Sequence, residues 1–353
     1  MKILIDDISG YKSIIISNYI KKCYRNSHII GVDTREFTKF IHTNSIDKFI
    51  YISNSENYVE EIKKIIKYEN INLFIPTHSG NMGSLIEHKK AFNNSLSYYG
   101  SKTTFDLLNN KYMLAQLCKT IGIKMPSIYD DFIEEKLPLV VKPRISASSL
   151  GVEYIFTRQE LQKAQKKYTN RDNVIIQGFI KGEAVGYSVF CKNGKVIVGY
   201  GHRRLVETPV SGGSSVYRET FNDVKMIKIT ENILSFTNWS GFAMFEFKRT
   251  NSNEFYLIEV NPRIWGSINQ GLTNGINYFS YLLGESNKYI TKNKNYKTYL
   301  SPLIYKSLIE YCFTQNYKPL LYFIKNIIHN KADVNIFSDL GGYIGLVLRN
   351  INK

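Results

Sequence analysis

The chain has 353 residues, enough for two or three domains with real cores, and its 43% apolar and 14% aromatic content excludes a disordered polypeptide. The net charge of +16 is spread along the whole length with no recognition-helix or RNA-binding signature, so no specific nucleic-acid partner is expected. Four scattered cysteines (Cys23, Cys118, Cys191, Cys312) form no CxxC pair, which argues against a disulfide framework or zinc site and for a reducing, cytoplasmic setting.

In chain order, Met1 to Asp7 turns acidic within a few positions and lacks an apolar leader core, so it reads as a first strand. No stretch approaches the roughly 18 uninterrupted apolar residues of a membrane span. Short apolar runs at 3–5, 29–32, 49–52 and 73–75 alternate with amphipathic stretches such as 58–68, where Val59, Ile62, Ile65 and Ile66 recur at helical spacing. Strand–helix alternation predicts a parallel sheet whose ligands bind beyond the strand carboxyl ends. Asp6, Asp7, Asp33 and Thr77-His78-Ser79-Gly80 fall at such ends, with His78 read as a loop residue ahead of a substrate contact. No GxGxxG follows the first strand, which disfavours a dinucleotide cofactor.

A helix is predicted over 104–121, punctuated by Gly122 and Pro126. A strand at 137–142 leads into Pro143-Arg144-Ile145-Ser146-Ala147-Ser148-Ser149-Leu150-Gly151-Val152, a small-residue loop able to present backbone N–H groups to phosphate. Further strands are expected at 174–177, 184–191, 195–202 and 241–248, with an Asn193-Gly194 hairpin turn. The Lys/Tyr/Asn-rich tail from about 286 is expected to be mostly helical, and its amphipathic stretch at 320–328 reads as a packing helix ahead of a membrane anchor.

Phe245-Glu246-Phe247 and Leu257-Ile258-Glu259-Val260-Asn261-Pro262-Arg263 carry the densest chemistry. Side chains alternate along a strand, so Glu259 and Asn261 share one face while Ile258 and Val260 are expected in a core. Glu246 is the polar residue between two phenylalanines on a neighbouring strand. Hard oxygen ligands converging in this way suit Mg²⁺, and the Arg263 fork could meet phosphate.

These motifs, in this order, resemble the ATP-grasp superfamily from roughly residue 100 to 285, and the first hundred residues resemble the domain that usually precedes it. Carbamoyl-phosphate-synthase-like and D-amino-acid-ligase-like members are the most similar in character. The resemblance implies an N-terminal parallel-sheet α/β domain (1–100), a two-subdomain α+β ATP-grasp domain (101–285, hinge near 177–183) and a mostly helical C-terminal extension (286–353). It implies that Lys111 and Lys142 reach the ATP phosphates, although Asn110 stands where many members have Asp. Ser146, Ser148, Ser149 and Gly151 match the loop that closes over the phosphates. Gln177, Phe179 and Ile180 match the hinge that reads adenine, with Gln where many members have Glu, and Glu183 would accept from the ribose hydroxyls. Glu246, Glu259 and Asn261 match the magnesium ligands, with Mn²⁺ an alternative ion, and Arg263 meets the transferred phosphoryl group.

The segment His202 to Ser215 contains Arg203 and Arg204 beside Gly212-Gly213-Ser214. Two arginines there could hold a substrate carboxylate bidentately, or form an exposed basic hairpin end. Trp265 and Gln270 could line the same cleft, Trp265 equally serving as core. The resemblance implies an ATP- and Mg-dependent carboxylate–amine ligase acting through an acyl phosphate on small-molecule substrates; a homodimer is the general default for a soluble enzyme. Alternatives are phosphorylation of a small carboxy acid such as bicarbonate and non-catalytic ATP binding. No cysteine sits in a nucleophile-like context.

Overall fold

The computed structural model describes residues 1–53, 55–146, 150–209, 213–284 and 295–351. The N-terminal portion is built from β1 (Lys2–Ile5), α1 (Tyr11–Cys23), β2 (His28–Asp33), β3 (Lys48–Tyr51), α2 (Tyr58–Glu69), β4 (Leu73–Ile75) and α3 (Met82–Glu87). Its four strands pair in parallel in the order β3-β2-β1-β4. The predicted apolar runs are therefore strands, buried in β1, β2 and β4 and half-buried in the edge strand β3, and the order reverses between β1 and β4. A crevice opens beyond the strand ends at such a switch point.

The predicted helix over 104–121 is two helices, α4 (Lys102–Asn109) and α5 (Lys111–Thr120). Asn110 is extended (ψ 113°) and its side chain accepts from the backbone N–H groups of Tyr112 and Met113. An internal N-cap thus divides a stretch of unbroken helical periodicity and fixes Lys111 as a first-turn residue.

A four-stranded antiparallel sheet follows: β5 (Ile128–Tyr129), β6 (Leu139–Pro143), β7 (Glu153–Ile155) and, after α6 (Arg158–Lys167), β8 (Val174–Gly178), in the order β5-β8-β6-β7. It has a small core of its own, centred on Phe132, Leu139, Val141, Ile155, Leu161 and Ile176.

A larger sheet comprises β9 (Glu183–Lys192), β10 (Lys195–Thr208), β11 (Ser214–Thr220), and, after α7 (Val224–Thr237), β12 (Gly241–Arg249) and β13 (Phe255–Asn261). The β9–β10 turn is the predicted one: Asn193 and Gly194 both have positive φ (48° and 73°), as a two-residue hairpin loop requires. Beyond α8 (Ile268–Thr273) and α9 (Ser280–Leu283), the tail contains β14 (Lys297–Tyr299), α10 (Leu303–Phe313), α11 (Lys318–Lys325), β15 (Asn330–Ala332) and α12 (Leu340–Ile351). It is mostly helical as expected, but β14 and β15 extend the large sheet to seven strands, β13-β12-β9-β10-β11-β14-β15. Leu320 and Phe323 of α11 pack against Val206, Val216 and Tyr217, while Leu321 and Ile324 stay exposed. No helix among the described residues is long and apolar enough to cross a membrane.

One continuous core joins the N-terminal sheet to the large sheet. Tyr99 contacts Trp239 and Phe242, and Phe242 contacts Trp265. Trp265 is therefore a core residue, and Gln270 is buried with its amide bonded to Thr298 and the Tyr296 carbonyl; neither lines the cleft.

Candidate active site

Two connected cavities meet at the β12–β13 hairpin. The first is a slot between the two antiparallel sheets, walled by Val140, Val152, Tyr154, Phe179, Ile180, Phe247 and Ile258 and reached by Lys142, Ser146 and Gln177. Apolar walls with a few fixed polar groups suit a flat heterocycle. Ile258 was expected in the core beside Val260. Val260 is there, but Ile258 is half-buried in the slot wall and accepts from Lys142 Nζ (3.3 Å) through its carbonyl.

The second cavity, about 800 Å³, lies between the large sheet, the β1 and β4 ends of the N-terminal sheet, and α12. Glu246, Glu259, Asn261 and Arg263 line it, as do Asp7, Gly10, Tyr11, Lys12, His78, His202 and Arg349.

At the junction, Glu246 and Glu259 stand opposite each other in the β12–β13 register. Asn261 donates from Nδ2 to Glu259 (3.0 Å) and to Glu246 (3.3 Å), while its Oδ1 accepts from Arg263 (2.7 Å). Lys111 Nζ lies 3.1 Å from Glu259 and donates to Ser146 Oγ at 3.2 Å. Burial opposes ionisation of Glu259, but the Lys111 and Lys142 ammonium groups outweigh it and hold the carboxyl down at about 2. Burial pushes Glu246 up, against the pull of Arg204. Burial also brings Lys142 down to about 8, with Glu259 opposing and Lys111 reinforcing the shift.

Two carboxylates and an amide form the donor set. Among the described residues no group of three or more His, Cys, Asp or Glu side chains could hold a metal ion. Turning the Asn261 amide over would present its oxygen beside both carboxylates, and such ligands, completed by phosphate oxygens, fit Mg²⁺.

The other expected site residues divide. Gly151 has φ 75°, and a Cβ there would lie 2.8 Å from Pro143 Cγ, so glycine is required. Gln177 is buried in the slot, its amide nitrogen without a hydrogen-bond partner among the described residues. The Phe179 N–H is committed to the Pro138 carbonyl (3.0 Å), so only its carbonyl remains for a base. Glu183 sits half-exposed outside the slot lining, 3.3 Å from Arg249 and 3.6 Å from Arg203.

Arg203 and Arg204 do not act as a pair. Adjacent strand residues face opposite ways; Arg203 pairs with Glu219, whereas Arg204 enters the cleft to bind Glu246, Glu207 and the Gly213 carbonyl. Gly213 and Ser214 line that cleft. Ser148, Ser149 and Gly212 lie outside the described residues.

Sequence reasoning missed His202, Lys12 and Arg349, and it placed His78 outside the site. His202 is buried against Gly186, its Nε2 3.4 Å from Ser267 Oγ, and burial beside Arg204 and Arg218 holds it well below its usual range. Burial pushes the Cys118 and Cys191 thiols up to about 12, which disfavours a thiolate at either position.

Residues 108–267, a little under half of the chain, match the family described as the ATP-grasp domain. It is 29% identical over 198 residues to a D-alanine–D-alanine ligase of Rickettsia bellii, a match covering 52% of this chain and 56% of that protein. The match thus spans little more than half the length of that relative. A D-alanine–D-alanine ligase of Buchnera aphidicola is 25% identical over 277 residues, covering 72% and 82%. Among solved structures, an L-amino acid ligase from Bacillus licheniformis superposes with a TM-score of 0.61 at 16% identity, covering 84% of this chain and 76% of that one. The biotin carboxylase domain of a Hydrogenobacter thermophilus 2-oxoglutarate carboxylase, solved with MgADP and bicarbonate, gives 0.61 at 12%, covering 83% and 71%. At these identities the structural matches establish the fold alone.

Proposed function

We propose that this protein is an ATP- and magnesium-dependent ligase that joins a carboxylic acid to an amine. The observation that carries the reading is the junction of the two cavities. The slot fit for a heterocycle and the open cleft share Arg204, Gly213, Glu246 and Glu259, with Lys142 on the slot side, Asn261 on the cleft side and Lys111 bonded to Glu259. The match of residues 108–267 to the ATP-grasp domain and the similarity to D-alanine–D-alanine ligases support the same reading.

In this scheme a carboxylate oxygen of the acid attacks the γ-phosphorus and ADP leaves, giving an acyl phosphate. The amine nitrogen then attacks the acyl carbon, the amide forms, and phosphate and a proton are released. Such chemistry depends on positioning and charge neutralisation more than on a protein nucleophile. Glu246, Glu259 and Asn261 would hold Mg²⁺, which when bound offsets phosphate charge. Lys111 and Lys142 bind the phosphates from the slot side, and Arg263 faces the transferred group from the cleft side. Arg204 holds Glu246 in place, and Gln177 with the carbonyl of Phe179 reads the base. Ser146 and Gly151, at the ends of the loop between β6 and β7, shield the acyl phosphate from water.

The test is phosphate release from Mg·ATP over a panel of acids and amines, with mass analysis of products. A product lighter by one water than an acid–amine pair supports the reading, and phosphate release with no coupled product from any pair contradicts it.

A further inference from the structure

The N-terminal wall of the large cleft carries a buried lysine, Lys12, that the ligase scheme leaves unused. Lys12 lies in the first turn of α1 and is 92% buried, being 8% exposed, yet among the described residues no carboxylate comes within 4 Å of it. Its ammonium donates to the Thr77 carbonyl and to Ser79 Oγ (3.1 Å), leaving one of the three N–H donors of a lysine to face the cleft.

The nearby carboxylates are already engaged. Asp6 accepts from the Thr77 and His78 N–H groups and from Tyr58, and Asp7 is shared by Arg35 (2.9 Å) and Arg349 (2.6 Å). Asp33 holds Arg35 and the Ser9 N–H and hydroxyl. Across the cleft, Arg263 has no carboxylate within 4 Å among the described residues either; burial first, and the Arg263 charge next, bring Lys12 down to about 7, so an anion bound beside it would favour its charged form.

Two further features point at the same space. The N-cap of α1, Gly10, offers no side-chain cap, and Gly10, Tyr11 and Lys12 all line the cleft, so the positive end of a 13-residue helix opens there. His78 Nδ1 is buried without a hydrogen-bond partner in the described structure. The buried Lys12 and the uncapped end of α1, facing a common cavity, constitute an anion site separate from Arg263.

We propose that this wall binds a second anionic group of the acid substrate, so that the substrate is a dianion, a dicarboxylate or a phosphorylated acid. The inference rests on the ligase reading: one carboxylate is activated at the Arg263 end, and the other anionic group pairs with Lys12 and α1. The loop Asp6–Gly10, tied at Asp6, Asp7 and Ser9, holds the wall rigid before the ligand arrives.

The experiment is calorimetric binding with Mg²⁺ and a non-hydrolysable ATP analogue, using three achiral probes. Succinate has two carboxylates, succinamate replaces one with a neutral amide, and 3-phosphonopropionate replaces one with a phosphonate. The expected result is that succinate or 3-phosphonopropionate binds at least about ten-fold more tightly than succinamate, the tighter one identifying the anionic group. Lys12→Gln is expected to erase that preference and Lys12→Arg to retain it. The wild-type comparison stands alone if Lys12→Gln fails to fold by circular dichroism.

Equal affinity for the three probes, absence of binding by all three, or a preference surviving in folded Lys12→Gln would overturn the proposal. Binding of the ATP analogue is measured first. Its loss would remove the ligase reading as well, whereas its presence with no dianion preference removes this inference alone.

Discussion

Glu246 and Glu259 face each other across the β12–β13 hairpin, yet each is held by a different cation, Arg204 for the first and Lys111 for the second. Asn261 bridges the two, donating from Nδ2 to each carboxylate. The amide hydrogens and flanking cations offset repulsion that would otherwise separate two buried negative charges.

Glu259→Gln keeps the shape of this arrangement and removes one charge. It is expected to lower Mg·ATP turnover by about 10²–10³-fold with an unchanged circular dichroism spectrum. Wild-type turnover in the folded variant would remove Glu259 from the site.

Lys142 gives the nucleotide site a pH dependence. Its ammonium, brought down to about 8 chiefly by burial, is charged at pH 7 and mostly neutral at pH 9. ATP affinity should therefore fall as pH rises through 8, and Lys142→Met should bind weakly at both values with the slope removed. Calorimetric titration of ATP at the two pH values provides the comparison.

Acid should destabilise the fold through His202. Burial keeps this imidazole neutral in the folded state well below the ordinary value of 6.5, whereas the unfolded chain takes up a proton near 6.5. Below that pH the unfolded state binds more protons, so stability drops as pH falls, by up to about 1.4 kcal/mol per unit from this one group. Urea unfolding between pH 7 and 5 should show a shallower decline for His202→Asn than for the wild type.

Asn110 separates capping from charge. Asn110→Asp should leave stability within about 0.5 kcal/mol, since either side chain caps α5, whereas Asn110→Ala should cost about 1 kcal/mol. Because the cap sets the first turn that carries Lys111, the alanine variant should also raise the KM for ATP. An alanine variant as stable as the wild type would show the cap to be idle.

At the crossing between the sheets, a Cβ on Gly182 would lie 2.4 Å from the Arg249 carbonyl oxygen. Gly182→Ala must push β9 and β12 apart at their paired ends, at a cost of about 1–3 kcal/mol. Thermal melting checks it, and an unchanged Tm would show that the backbone there yields freely.

Much of this was legible in the sequence, for physical reasons. The buried strands declared themselves as apolar runs, and Asn193-Gly194 as a two-residue turn. Glu246, Glu259 and Asn261 were readable because strand alternation puts polar side chains between core ones. Their register was not, because it depends on a bulge between Glu246 and Phe247. The separation of Arg203 from Arg204 follows from the same alternation and was available in principle. β14 and β15 are three residues each, too short for any periodicity. The Asp7–Arg349 pair joins positions 342 apart in the chain, and no local pattern announces it.

The most direct test of the ligase reading follows oxygen atoms. An acid substrate labelled with ¹⁸O in its carboxylate is incubated with Mg·ATP and the amine, and the released phosphate is analysed by mass. Passage through an acyl phosphate predicts one labelled oxygen per phosphate released with product. Unlabelled phosphate accompanying amide formation would contradict it.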